Sequence, residues 1–101
     1  KHAINGMTKS VAREVGTEGV TVNAICPGLI VTDILQTNGP KTAEAMGMTL
    51  DEMIDYFTSE SAIKRPNKVE EVAAVALLLA SEAGAGITGT QLSVDGGTAQ
   101  Y

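Results

Sequence analysis

The stretch VNAICPGLIVTDI, residues 22–34, holds the arrangement in this chain most suited to chemistry. A run rich in β-branched residues stops at Pro27-Gly28, and a hydroxyl and a carboxylate follow at Thr32 and Asp33. Glycine lets another molecule approach the backbone closely, and doubly wound sheets bind ligands at the ends of parallel strands. Read by themselves, Pro27 and Gly28 make a strand stop, a role their turn chemistry fills without a ligand. Asp33 reads as a solvated turn or cap. Cys26 has no His or Lys beside it in sequence, so a small buried apolar side chain fits it better than a reactive thiol. Lys1 alone reads as a solvated chain end and His2 as an ordinary helix residue. Asp95 precedes Gly96-Gly97 in a turn. No His, Cys or carboxylate cluster has ligand spacing, so no metal site is expected.

Composition narrows the classes of partner. The chain has 101 residues, 44% of them hydrophobic and 19% charged, which suits one globular domain and excludes disorder. Seven basic against twelve acidic residues give a net charge of −5, with no basic stripe to neutralise phosphates, so no nucleic-acid partner is expected. A single cysteine rules out a disulfide framework and points to a reducing cytoplasm. No apolar run approaches the ~18 residues of a membrane span, and no signal-peptide pattern is present. A first residue that is lysine, not methionine, suggests a fragment.

Four elements must position these residues. Ile4, Met7, Val11, Ala12 and Val15 form one helical stripe over 1–15, and Gly16 and Gly19 are expected to end it. The short β-branched run 20–26 reads as a buried strand closed by Pro27. A second helix is announced at Pro66-Asn67, with Asn67 as N-cap and Glu70 three residues on. Its stripe of Val69, Val72, Ala73, Ala76, Leu77 and Ala80 carries it to about Ser81. The turn AGAGITG leads to a last strand, TQLSVD, ended by Gly96-Gly97. Strand, helix and strand with a long crossover imply a right-handed parallel unit. The fold class is therefore α/β.

Residues 34–65 read as a long span without a core element, a form typical of lids and binding loops. Thr49 and Glu52 have capping-box spacing, which predicts a short helix through Met53, Ile54 and Phe57. Met46, Met48, Met53, Tyr56 and Phe57 give the span an adaptable apolar surface. It suits a substrate lid, with Met46, Met53 and Phe57 as candidate contacts. The same side chains would equally serve to pin the lid down.

Three stretches in order carry a family resemblance: KHAINGMTKSVAREV, VTVNAICPGLIVTDI and RPNKVEEVAAVALLLASEAGAGITGTQLSVDGG. They resemble the C-terminal portion of the short-chain dehydrogenase/reductase family, over essentially the whole chain. The resemblance implies the C-terminal part of one Rossmann-type domain, with 34–65 as a substrate lid within it. It implies an NAD or NADP cofactor and hydride transfer between a secondary alcohol and a ketone. By the same resemblance Lys1 is the lysine of the Tyr-x-x-x-Lys motif, which bonds the nicotinamide ribose and lowers the pKa of the motif tyrosine. Pro27 and Gly28 line the nicotinamide ring, the Ile30 backbone pairs with the carboxamide, and Thr32 offers its hydroxyl to carboxamide or pyrophosphate.

The tyrosine, the active-site serine and the glycine-rich turn would lie upstream of Lys1. The parent is thus expected to be an oxidoreductase acting on a small alcohol or ketone, a homo-oligomer (dimer or tetramer). The alternative is that these residues are a non-catalytic piece serving structure and assembly through the last helix and strand.

Overall fold

The computed structural model describes residues 1–99. Their secondary structure runs α1 (His2–Val15), β1 (Ala24–Pro27), α2 (Asp33–Ala45), α3 (Leu50–Thr58), α4 (Val69–Ala80) and β2 (Gln91–Val94), with short 3-10 turns at Gly16–Glu18 and Glu82–Gly84. The chain divides into two compact units. One comprises Lys1–Cys26 with Val72–Leu92, the other Pro27–Glu71 with residues 93–99. The two strands pair as one sheet. The Gly89 N–H donates to the Val22 carbonyl at 2.7 Å and the Ala24 N–H to the Thr90 carbonyl at 2.9 Å. Both chains advance together between those bonds, so the pairing is parallel, as expected for an α/β unit.

In the first unit, α1 forms where predicted, but of its expected stripe only Ala12 is buried, and Ile4 and Met7 are 58% and 60% exposed. Thr8 and Ala12 are buried, and the Thr8 hydroxyl returns a 2.8 Å bond to the Ile4 carbonyl. Gly16 is right-handed and opens a 3-10 turn; only Gly19, at φ 75°, takes the left-handed conformation. The strand expected over 20–26 is shorter and begins at Ala24. Beyond the Gly89–Val22 backbone bond, Val22 and Asn23 are held by side-chain bonds. The Val22 N–H donates to the Thr88 hydroxyl, and the Asn23 amide spans the Ile87 carbonyl and the Thr90 N–H. Lys9 Nζ adds a bond to the Gly89 carbonyl at 3.1 Å. α4 is apolar beyond Glu70 and Glu71 in its first turn yet has no buried residue, and Leu77 is 72% exposed. The helix stripe expected to be packed is thus largely uncovered among the described residues.

The second unit corrects the reading of 34–65. Thirteen residues of it and its flank, Asp33–Ala45, are helix α2. Thr32 is the N-cap, accepting from the Leu35 N–H, and Pro40 lies inside the helix. Proline in a helix interior removes one intrahelical bond, and the pattern Asn38-Gly39-Pro40 reads in sequence as a turn. Packing overrides it. Gly39 is buried, and a Cβ there would lie 2.7 Å from Leu50 Cδ1, so α2 and α3 approach closely at this point. Ala43 in α2 and Met53 in α3 are buried as well. α3 forms where its capping box predicts, with Thr49 accepting from the Glu52 N–H and Glu52 accepting from the Thr49 N–H.

The second capping box is displaced. α4 begins at Val69, and Glu71, not Glu70, accepts the Lys68 N–H at 2.8 Å. Asn67 is committed elsewhere, as described below.

Replacing Thr49 with alanine removes one half of the α3 box. Thr49→Ala is expected to lower stability by about 1 kcal/mol, measured by urea denaturation; an unchanged midpoint would show that α3 is held by its packing alone.

Candidate functional site

The turn after β1 lies in the second unit and is held from three directions. The Gly28 N–H donates to the Val94 carbonyl at 3.1 Å. A Cβ on Gly28 would lie 2.8 Å from Asp95 Cα, so glycine is required here for the approach of the chain's own backbone. Beyond it, Ile30 forms an isolated parallel bridge with Asn67. The bonds of that bridge come from its neighbours: Asn67 N–H to the Leu29 carbonyl at 2.9 Å, and Val31 N–H to the Asn67 carbonyl at 3.5 Å. Among the described residues the N–H and C=O of Ile30 itself have no partner.

Asn67 is fixed in turn by a carboxylate. Glu71 accepts from Asn67 Nδ2 at 3.3 Å, from the Lys68 N–H at 2.8 Å, and from both terminal nitrogens of Arg65 at 3.1 and 2.6 Å. The Arg65 guanidinium, then the Lys68 N–H, hold the Glu71 carboxyl down from its ordinary 4.5 to about 2, and Glu71 raises Arg65 in return. Asp95 closes the far side as a structural turn. Its carboxylate accepts from the Ala99 N–H at 2.9 Å and the Gly97 N–H at 3.0 Å, bonds that lower its pKa. Gly96 and Gly97 take φ of 65° and 79°, and the Gly96 carbonyl accepts the Ile63 N–H at 3.1 Å.

The residues singled out in the sequence therefore fall into distinct places. Gly28, Ile30 and Thr32 stand along one segment of the second unit, with Pro27 as the exposed last residue of β1. The Thr32 hydroxyl caps α2 by accepting from Leu35 N–H at 3.4 Å, which leaves its own proton free to donate. Lys1 belongs to the first unit, exposed, at the N-cap position of α1. Of the lid residues, Met53 and Phe57 line an apolar cleft of about 250 Å³ between α2 and α3. Met46 caps the C-terminus of α2, outside that lining. Sequence reading missed Asn67 as a bridge residue and Ser61 as a buried one. The spacing of Arg65, Asn67 and Glu71 carried the signal, because i to i+4 brings an amide and a carboxylate together where a helix begins.

Residues 1–99 match the family described as Enoyl-(Acyl carrier protein) reductase. The chain is 45% identical to the D-beta-hydroxybutyrate dehydrogenase of Rhizobium meliloti, over 99% of its own length and 40% of that protein. It is 36% identical to a diacetyl reductase of Staphylococcus aureus, over 96% of this chain and 38% of that one. A solved short chain dehydrogenase family protein from Francisella tularensis superposes with a TM-score of 0.89 at 32% identity, covering 97% of this chain and 40% of that chain. An actinorhodin polyketide ketoreductase solved with NADPH superposes at 0.84 with 30% identity, covering 99% and 38%. Helices and a parallel strand pair, with these neighbours, define the class as Rossmann-type α/β. The chain belongs to the short-chain dehydrogenase/reductase family. It spans about two fifths of the length of the curated relatives it matches.

Two outcomes follow from this geometry. Gly28→Ala is expected to destabilise the protein by about 1–3 kcal/mol, the range for overpacking a tight contact, because the methyl group meets backbone at Asp95. A denaturation midpoint equal to wild type would refute that contact. Glu71, with its pKa depressed, contributes stability that is complete above about pH 4.5 and is lost as pH falls towards about 2. Glu71→Gln should flatten the stability profile across that window, as measured by denaturation at stepped pH; parallel profiles for the two proteins would exclude the linkage.

Proposed function

We propose that these residues are the cofactor-facing C-terminal part of an NAD(P)-dependent oxidoreductase that interconverts a secondary alcohol and a ketone. The observation that carries the reading is the free Ile30 peptide: one N–H and one C=O, unpaired, in the turn beyond a parallel strand. A primary carboxamide offers the complementary acceptor and donor, so the residues present fit a nicotinamide. When bound, the nicotinamide supplies or accepts the hydride.

The roles of this chain's residues then follow. Pro27 and Gly28 shape the wall against which the ring lies. Ile30 orients the carboxamide through its two backbone groups, and Thr32 donates its free proton to the carboxamide or to pyrophosphate. Lys1 would bond the ribose and, as an ammonium beside a phenol, favour the phenolate of a motif tyrosine. That tyrosine is the proton donor and acceptor for the substrate oxygen. Met53 and Phe57, on α3, supply apolar surface to the substrate side, with 34–65 acting as the lid. The related dehydrogenase and reductase support a small alcohol or ketone as substrate. The uncovered α4, with Leu77 and Leu78 exposed, supports a homo-oligomer.

The test is made on the full-length protein. NADH or NADPH is expected to bind saturably in a fluorescence titration, and Lys1→Met should lower kcat by about 10²-fold or more. The limb of the pH profile belonging to the proton-transfer group should also move to higher pH. Absence of cofactor binding, or full activity in Lys1→Met, would overturn the reading.

A further inference from the structure

The turn after β1 is tied down along one side. The Gly28 N–H reaches the Val94 carbonyl, and a single residue, Asn67, takes up both the Leu29 carbonyl at 2.9 Å and the Val31 N–H at 3.5 Å. In an extended bridge a residue directs its own N–H and C=O to one edge and its neighbours direct theirs to the other. The carbonyl before Ile30 and the N–H after it are both turned to Asn67. The N–H and C=O of Ile30 itself therefore face away from Asn67, and their direction is set by where Asn67 stands.

Asn67 has little freedom to move. It is 6% exposed. Its Nδ2 donates to Glu71 at 3.3 Å, and the Lys68 N–H donates to the same carboxylate at 2.8 Å. The second bond is the more informative. The Asn67 carbonyl and the Lys68 N–H belong to one planar peptide unit. That unit accepts from Val31 on one edge and donates to Glu71 on the other. Hydrogen bonds linked in this way reinforce one another. Arg65 holds the carboxylate from outside with both terminal nitrogens, at 3.1 and 2.6 Å. Capping a helix start needs only one acceptor bond. A carboxylate bonded to residues 65, 67 and 68 together does more, since it fixes Asn67 against the turn.

We propose that Glu71 is a positioning residue for the cofactor: through the Asn67–Lys68 peptide it sets the angle at which the Ile30 N–H and C=O meet a nicotinamide carboxamide. The inference rests on the oxidoreductase reading, which is what puts a carboxamide at Ile30. Glu71 acts through Asn67 and needs no contact with the cofactor. What it governs is recognition of the carboxamide, where one backbone group must donate while the other accepts. Affinity for the rest of the dinucleotide lies outside its reach.

The experiment is titration calorimetry on the full-length protein with three ligands. They are whichever of NAD and NADP binds more tightly, its 3-acetylpyridine analogue, in which a methyl group replaces the carboxamide nitrogen, and the matching ADP-ribose, which lacks the ring. Wild type should prefer the natural cofactor to the analogue about three- to tenfold, the effect of one neutral hydrogen bond. Glu71→Ala should lose most of that preference with ADP-ribose affinity unchanged. Glu71→Gln, whose amide oxygen can still accept from Lys68, should keep most of it. Arg65→Met loosens the carboxylate and leaves Asn67 in place, so it should fall between the two, and it is decisive where Glu71→Ala does not fold. A preference equal to wild type in Glu71→Ala, or in Arg65→Met where the alanine variant does not fold, would overturn the proposal. So would an equal loss of affinity for all three ligands, which would make Glu71 a structural residue only. If wild type binds no cofactor, or does not distinguish carboxamide from acetyl, the reading of Ile30 fails first and the inference falls with it. Wild type and variant that discriminate equally remove the inference alone.

Discussion

The Glu71 carboxylate is the point on which the second unit's arrangement turns. It gathers three donors separated along the chain: the Arg65 guanidinium, the Asn67 amide and the Lys68 N–H. The Lys68 bond satisfies one of the N–H groups that every helix leaves open at its start, and a carboxylate there also suits the helix dipole. The Arg65 pair is half in solvent, so as an isolated ion pair it would count for little. Its weight comes from geometry. With Arg65 and Lys68 fixed on either side, Asn67 between them is extended, and its two backbone groups pair with Leu29 and Val31. The free Ile30 peptide is therefore a consequence of where Glu71 sits.

A second constraint is steric. Three distant segments, at Gly28, at Ala62–Ile63 and at Asp95–Gly97, meet at distances that no side chain permits. A Cβ on Gly28 would press on Asp95, one on Gly96 on Ile63 at 2.7 Å, and one on Gly97 on Ala62 at 2.8 Å. Only at Gly28 is the neighbour backbone; Gly96 and Gly97 face the side chains of Ile63 and Ala62. Of these contacts, only that of Gly28 with Asp95 borders the cleft of about 300 Å³ lined by Gly28, Thr58 and Ser61.

Much of the fold was legible in sequence because its periodic parts are long. The stripe of α1, the apolar α4 and the capping box of α3 each express one local rule. α2 was not legible, since Asn38, Gly39 and Pro40 argue for a turn and only contact with Leu50 in α3 favours a helix. The first residues assigned to β1 were misread for a related reason: Val22 keeps one backbone bond, from the Gly89 N–H, but its own N–H goes to the Thr88 hydroxyl and the Asn23 amide bonds Ile87 and Thr90. Glu70 was preferred to Glu71 because the box was counted from Asn67, and nothing local says that Asn67 is taken by a bridge to residues 29–31. In the site, Gly28 was read for the right property, absence of a side chain, but the space it vacates is filled first by Asp95.

Thr32 shows why a cap and a ligand contact are compatible readings of one residue. A hydroxyl has one proton to donate and two lone pairs to accept with. Capping α2 uses a lone pair, in the 3.4 Å bond from the Leu35 N–H. The proton stays available for an acceptor on the other side. A ligand that takes it polarises the hydroxyl and strengthens the bond to Leu35, since linked hydrogen bonds reinforce one another. The start of α2 is thereby coupled to occupancy of the turn. Because α2 packs on α3 at Gly39, that coupling extends through buried contacts to Met53 and to the apolar cleft that Phe57 also lines. α2 thus runs from the turn after β1 to the apolar cleft, and Thr32 is its N-cap.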